Sequence, residues 1–199
     1  MMMLGLAGCA AGEDFVRAHG QAQPTLERVE VCHGFGCAYR TSVAIAPAAW
    51  GEVERVFRPA PASASEERRR IALAVGLIEE MLGEAVGTAG DEAGATLFAA
   101  DRYQQDCIDE MVNTTTYLRL MQAAGLLAHH DLAPAAARGR FIDGWPHNTA
   151  VIVERVSGAA FAVDSWFHAN GEAAEIVPLA AWLAGWQPER RIRLGDLEK

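Results

Sequence analysis

Asn148-Thr149-Ala150-Val151-Ile152-Val153-Glu154-Arg155-Val156 and Ala160-Phe161-Ala162-Val163-Asp164-Ser165-Trp166-Phe167 are apolar runs of strand length separated by Ser157-Gly158. That spacing predicts an antiparallel hairpin. Helical periodicity dominates upstream. Asp106 is placed to cap a helix over Cys107 to Ala124 that Gly125 ends. Ser63 and Glu66 have capping-box spacing, and Ile71, Val75, Ile78 and Leu82 follow at three and four residues as far as Gly87. Ala48 to Arg58 predicts a shorter helix with Trp50, Val53 and Phe57 on one face, stopped by Pro59 and Pro61. Farther out, Val29, Val31, Tyr39, Thr41, Val43 and Ile45 fall on odd positions, so Arg28 to Ile45 predicts two short strands or one broken by the glycines at 34 and 36. A short helix from Pro178 to Trp186 follows the hairpin. Helices first and strands afterwards indicate an α+β fold rather than alternating α/β.

The chain has 199 residues, enough for one domain with a core, 51% of them hydrophobic and 22% charged. A net charge of −9 leaves no basic surface to neutralise phosphates, which excludes nucleic acid as an expected partner and disfavours anionic lipid surfaces. No apolar run approaches the roughly 18 residues of a membrane-spanning helix. Neither a repeat nor a second domain is evident.

Leu6-Ala7-Gly8-Cys9, at the end of a short apolar stretch, resembles the lipobox of bacterial lipoproteins. The resemblance implies acylation of Cys9 and anchoring of the chain by lipid to a membrane in the periplasm or cell envelope. Residues 1–9 then read as a signal, 10–27 as an irregular polar tether, and 28–199 as the single domain. Export leaves Cys32, Cys37 and Cys107 in an oxidising space. Cys32 and Cys37 flank His33-Gly34-Phe35-Gly36, where two glycines allow the tight turn a disulfide needs. Cys107 is left as a free thiol.

Cys107 opens its helix, where unpaired amides and the helix dipole favour a thiolate. Asp106 and Asp109 oppose that charge, so a nucleophilic sulfur requires a base close by. His147, after Gly144-Trp145-Pro146 at the mouth of the hairpin, is the candidate. Asp164, an acid in an apolar strand, needs a partner for its burial and is the candidate third group. A two-residue turn at Ser157-Gly158 would set position 164 opposite 151, about four residues or roughly 13 Å from His147. A triad therefore calls for 147 and 164 to pair, or for a bulge. The Cys107 amide and the side chains of Gln104 and Gln105 are oxyanion candidates. Zinc binding by Cys32, His33 and Cys37 with His129-His130, or with Cys107 and His147, departs from the common finger and ribbon spacings, so neither metal nor cofactor is expected. His129, His130 and His168 read as solvated or supporting groups.

From about Gln104 to Gly171, roughly a third of the chain, the sequence resembles the transglutaminase-like branch of the papain-like cysteine fold. The matching residues are Cys107-Ile108-Asp109 opening the helix, Leu118-Arg119-Leu120 running into Ala124-Gly125-Leu126, then His147, then Val163-Asp164. The resemblance implies a Cys107 thiol on a long helix facing His147 and Asp164 on an antiparallel sheet. It implies a thiol protease or amidase acting by acyl transfer, and the envelope location points to peptide, protein or peptidoglycan-stem amides as substrates. The alternative is a catalytically silent lipoprotein that uses the same fold as an interaction module.

Overall fold

The computed structural model describes residues 14–95, 101–139 and 146–189. Among the described residues two antiparallel sheets pack with helices in an α+β architecture. Strands β1 (Val29–His33) and β2 (Tyr39–Val43) form a small hairpin with Val29 opposite Val43 and His33 opposite Tyr39. Helices α1 (Pro47–Val56), α2 (Ala64–Val86) and α3 (Cys107–Ala123) follow. A four-stranded meander then runs β3 (His130–Arg138), β4 (His147–Glu154), β5 (Ala160–Asp164) and β6 (Glu175–Pro178), with α4 (Leu179–Leu183) behind it. No helix among the described residues is long and apolar enough to cross a membrane.

The helix ends follow local chemistry. Ser63 accepts the Glu66 amide while the Glu66 carboxylate takes the amide of Ala62, and Gly87 closes α2 in the left-handed region at φ 95°. At α3 the box is complete: the Asp106 side chain accepts from the amides of Ile108 and Asp109, and Asp109 accepts from the amide of Asp106.

Strand alternation divides the core. Ala150, Ile152, Phe161, Val163 and Ile176 turn one face of the meander toward Trp50, Ile71, Ile78, Leu118 and Met121 of the helices. Val151, Ala162 and Val177 turn the other face toward Trp182 of α4. Helix α3 lies at the centre and is buried on nearly every side. Its polar residues are satisfied internally: Asn113 accepts from the Cys32 amide and donates to the Cys32 carbonyl, and Thr115 and Thr116 bond back to Met111 and Val112.

The structure differs from the sequence reading in several places. The hairpin turn spans residues 155–158, with the Glu154 amide donating to the Ala159 carbonyl and the Gly158 amide to the Glu154 carbonyl, so the two-residue turn is not formed. Strands β3 and β6 were not anticipated: His-Asp-Leu-Ala-Pro-Ala-Ala-Ala-Arg is poor in strand formers, and β6 has only four residues. Part of the segment read as a tether is ordered. Residues 14–19 are helical, Val16 is buried, and Arg119 donates to the Gln21 carbonyl. His130 is fully buried, its Nδ1 2.8 Å from Glu67 and its Nε2 3.1 Å from Arg68, so it belongs to the clamp between α2 and β3 rather than to solvent. Cys9 and the rest of the 1–9 segment lie outside the described residues.

Candidate functional site

Strand β5 pairs with β4 so that Ala150 faces Val163 and Val151 faces Ala162. Continuing that register sets Asp164 across from Thr149, and His147, two residues before Thr149 on the same face, is its diagonal neighbour. Diagonal neighbours lie about 7–8 Å apart at the backbone, within reach of an imidazole and a carboxylate. His147 Nε2 is accordingly 2.7 Å from Asp164 Oδ2. Neither direct pairing nor a bulge in this hairpin is needed. Trp182 Nε1 donates to the same Asp164 oxygen at 2.7 Å, and both side chains are buried. The imidazole is packed among the rings of Trp166, Phe167 and Trp182, with centroids 4.6, 5.3 and 5.3 Å away. Its Nδ1 is buried and has no hydrogen-bond partner among the described residues.

Cys107 stands at the first position of α3 and is 7% exposed. Its thiol donates to the Pro146 carbonyl at 3.8 Å and accepts from Asn148 Nδ2 at 3.8 Å. These are the residues on either side of His147. Alternation along β4 turns Asn148 toward the helix face and His147 toward the Trp182 face, so it is Asn148 and not His147 that touches the sulfur. The structure thus brings His147 and Asp164 together and sets Cys107 beside them without a Cys107–His147 hydrogen bond.

The electrostatics of the thiol also differ from expectation. Burial and the charge of Asp106 push it up to about 12, against the N–H groups of Asn148, which pull it down. Helix position alone does not yield a thiolate here. Asp109 does not face the sulfur. Its two oxygens accept the amides of Phe35 and Cys37 at 2.8 and 2.6 Å, and Asp106 accepts that of Gly36 at 3.0 Å. Residues 34–37 have φ of 80°, 69°, 65° and 58°, a left-handed run that aims successive amides at the two carboxylates. Cys32 and Cys37 close this loop with a disulfide. Cys107 is the free cysteine of the described residues.

Gln104 and Gln105 are occupied elsewhere. Gln104 Nε2 donates to the Gly90 carbonyl at 2.8 Å and Gln105 Nε2 to the Cys32 carbonyl at 2.9 Å, so both pin neighbouring segments instead of facing the sulfur. The His33 ring lies between the Arg102 carbonyl and Thr41, His129 reaches the Pro61 carbonyl, and His168 meets Glu172 and Glu175. Among the described residues no group of three His, Cys, Asp or Glu is placed to hold a metal ion.

Below the site lies a set of buried acids with no signal in the sequence. Ser165, next to Asp164, donates to Glu110 and lies 3.2 Å from Thr114. Burial pushes Glu110 up to about 7, and burial together with Glu110 raises Glu79 well above the carboxylate range. Asp91, which accepts the Gln105 amide at 2.6 Å, is pushed to about 8 by burial and by Glu110. Asn148 and Trp182 were likewise missed. Asn148 was legible in principle, because a residue next to His147 on a strand must face the opposite side. Trp182 was not, since its role depends on how α4 folds back.

Comparison of the chain with protein-family models, with curated proteins and with solved structures finds no match.

Proposed function

We propose that the protein is an exported, lipid-anchored cysteine protease or amidase of transglutaminase-like type, acting by acyl transfer at a peptide or isopeptide amide. One observation carries the reading. His147 is hydrogen-bonded to Asp164 through Nε2 and holds Nδ1 buried and, among the described residues, unpartnered, one residue from each group that touches the Cys107 sulfur. A buried ring nitrogen without a partner costs stability, and its retention calls for a reason. Proton transfer is such a reason. In the first step the Cys107 proton passes to His147 Nδ1 and Sγ bonds to the amide carbon. The amine leaves with that proton, and water resolves the thioester. The step requires Sγ and Nδ1 to come within hydrogen-bond reach during turnover. Peptides and peptidoglycan stems are the substrate class that an envelope location offers, and the Cys32–Cys37 disulfide is consistent with an oxidising compartment.

A second reading, a silent interaction module, is favoured by the buried thiol near 12 and its missing bond to His147. Iodoacetamide labelling of the full chain, mapped by mass and followed against pH, separates the two. An active site gives Cys107 labelling that levels off below the free-thiol value of about 8.5 and loses that plateau in His147→Ala. A rate that climbs steadily beyond pH 9 and ignores His147→Ala overturns the enzyme. For the anchor, partitioning into detergent is expected to disappear in Cys9→Ser.

A further inference from the structure

An acyl-transfer site needs donors for the oxygen that becomes negative when sulfur adds to the carbonyl, and the two glutamines before α3 do not supply them. Asn148 is 92% buried, sits on the helix-facing side of β4, and directs Nδ2 at the Cys107 sulfur from 3.8 Å. Effective donors stand about 2.7–3.1 Å from the oxyanion itself. An amide at 3.8 Å from the sulfur is at the remove that suits an oxygen on the carbon bonded to that sulfur. The Cys107 amide, at the first helical position, has no intrahelical acceptor and is available as a second donor.

We infer that Asn148 is a catalytic residue: its side-chain amide and the Cys107 backbone amide form the oxyanion hole. The inference rests on the acyl-transfer reading above. As the Sγ–C bond forms, the carbonyl π pair moves onto oxygen and the thiol proton resides on His147 Nδ1. The alkoxide is held by Asn148 Nδ2–H and Cys107 N–H. On collapse the π bond re-forms, the C–N bond breaks, and the amine departs with the proton from Nδ1. Before substrate arrives, the same Asn148 N–H rests on the sulfur. Consecutive residues of one strand thereby take the two halves of the chemistry, His147 the proton and Asn148 the charge.

The test compares two reactions of the same sulfur in the full chain. Acylation by p-nitrophenyl acetate, read as the nitrophenolate burst, passes through an oxyanion. Alkylation by iodoacetamide is a displacement at a methylene and does not. Asn148→Ala is expected to slow the burst by about 10²–10³-fold more than it slows alkylation, the usual effect of deleting one such donor, because the lost contact to the sulfur slows both reactions alike and cancels in the comparison. Asn148→Leu, close to asparagine in shape, gives the same split if the alanine variant fails to fold. Equal losses in both reactions, or no loss in either, would overturn the oxyanion role. Failure of the parent reading looks different: the wild-type chain then shows no burst that depends on Cys107, as judged against Cys107→Ala.

Discussion

Asp164 is buried and carries two N–H donors on one oxygen, from His147 and Trp182. Charge-assisted bonds of this kind contribute about 1.5–3 kcal/mol each, because the alternative is a buried carboxylate short of a partner. Trp182→Phe keeps the ring against His147 and removes only the donor. It is expected to lower unfolding stability by that amount in urea titration and to reduce the acetate burst with it, whereas a substitution at exposed Leu183 leaves both unchanged. On the proposed acyl-transfer reading, Asp164→Asn is expected to slow the burst less than Cys107→Ala does, since it disturbs the orientation and tautomer of the ring without removing a reacting atom. At this scale the sequence was informative about polar residues out of place. An acid in an apolar strand and a cysteine at a helix start both announce a local problem that some neighbour must solve. Which neighbour solves it was half visible: His147 satisfies Asp164, but the expected companion of Cys107 lay one residue farther on.

The segment from Cys32 to Cys37 is the element on which the position of Cys107 depends. Its amides hold Asp106 and Asp109, its Cys32 carbonyl receives Gln105 and Asn113, and its Gly34 amide donates to the Gln104 carbonyl at 2.9 Å. Two of its left-handed positions are not glycine, Phe35 and Cys37, so the conformation is held by these bonds and by the disulfide rather than by chain flexibility. Replacing both cysteines by alanine is expected to cost about 2 kcal/mol, the value for so short a loop in the chain-entropy treatment. The same change should raise the iodoacetamide rate at Cys107 by exposing the helix start, and urea midpoints and labelling kinetics check the two effects separately. Elements with strong periodicity or caps, such as α2 and the β4–β5 hairpin, were readable. Strand β3 was not, because Ala133, Ala135, Ala136 and Ala137 carry no strand preference and Pro134 argues against one. It is a strand because β4 offers a ladder to pair with, and the register slips between Ala133 and Ala136 to accommodate the proline.

At the scale of the molecule, several buried acids among the described residues are packed around α3. Asp91 and Asp109 stand at about 8 and Glu110 at about 7, while unfolded carboxyls ionise near 4. Between those limits the folded protein binds more protons than the unfolded chain, so stability falls as pH rises through the window. Glu67 acts in the other direction. Burial raises it, but His130 and the amides of His129 and Ala128 outweigh that and hold it low, so its contribution is lost only on acidification through the carboxylate range. The thermal midpoint is therefore expected to be several degrees higher at pH 5.5 than at pH 8.5; a flat or rising curve would contradict the raised carboxyls. This behaviour was illegible in the sequence, since Glu79, Asp91, Asp109 and Glu110 are spread over 32 positions and each looks like an ordinary surface acid until the chain folds. The sheet carries a consequence of its own. Its outer strands are β3, broken near Pro134, and β6, four residues long and ending in Pro178. Neither presents the long, regular row of free amides and carbonyls that templates a neighbour's strand. Concentrated or partly loosened protein should accordingly resist growth into fibrils through this sheet, and a fluorescent amyloid dye should stay dark where an unbroken edge would light it.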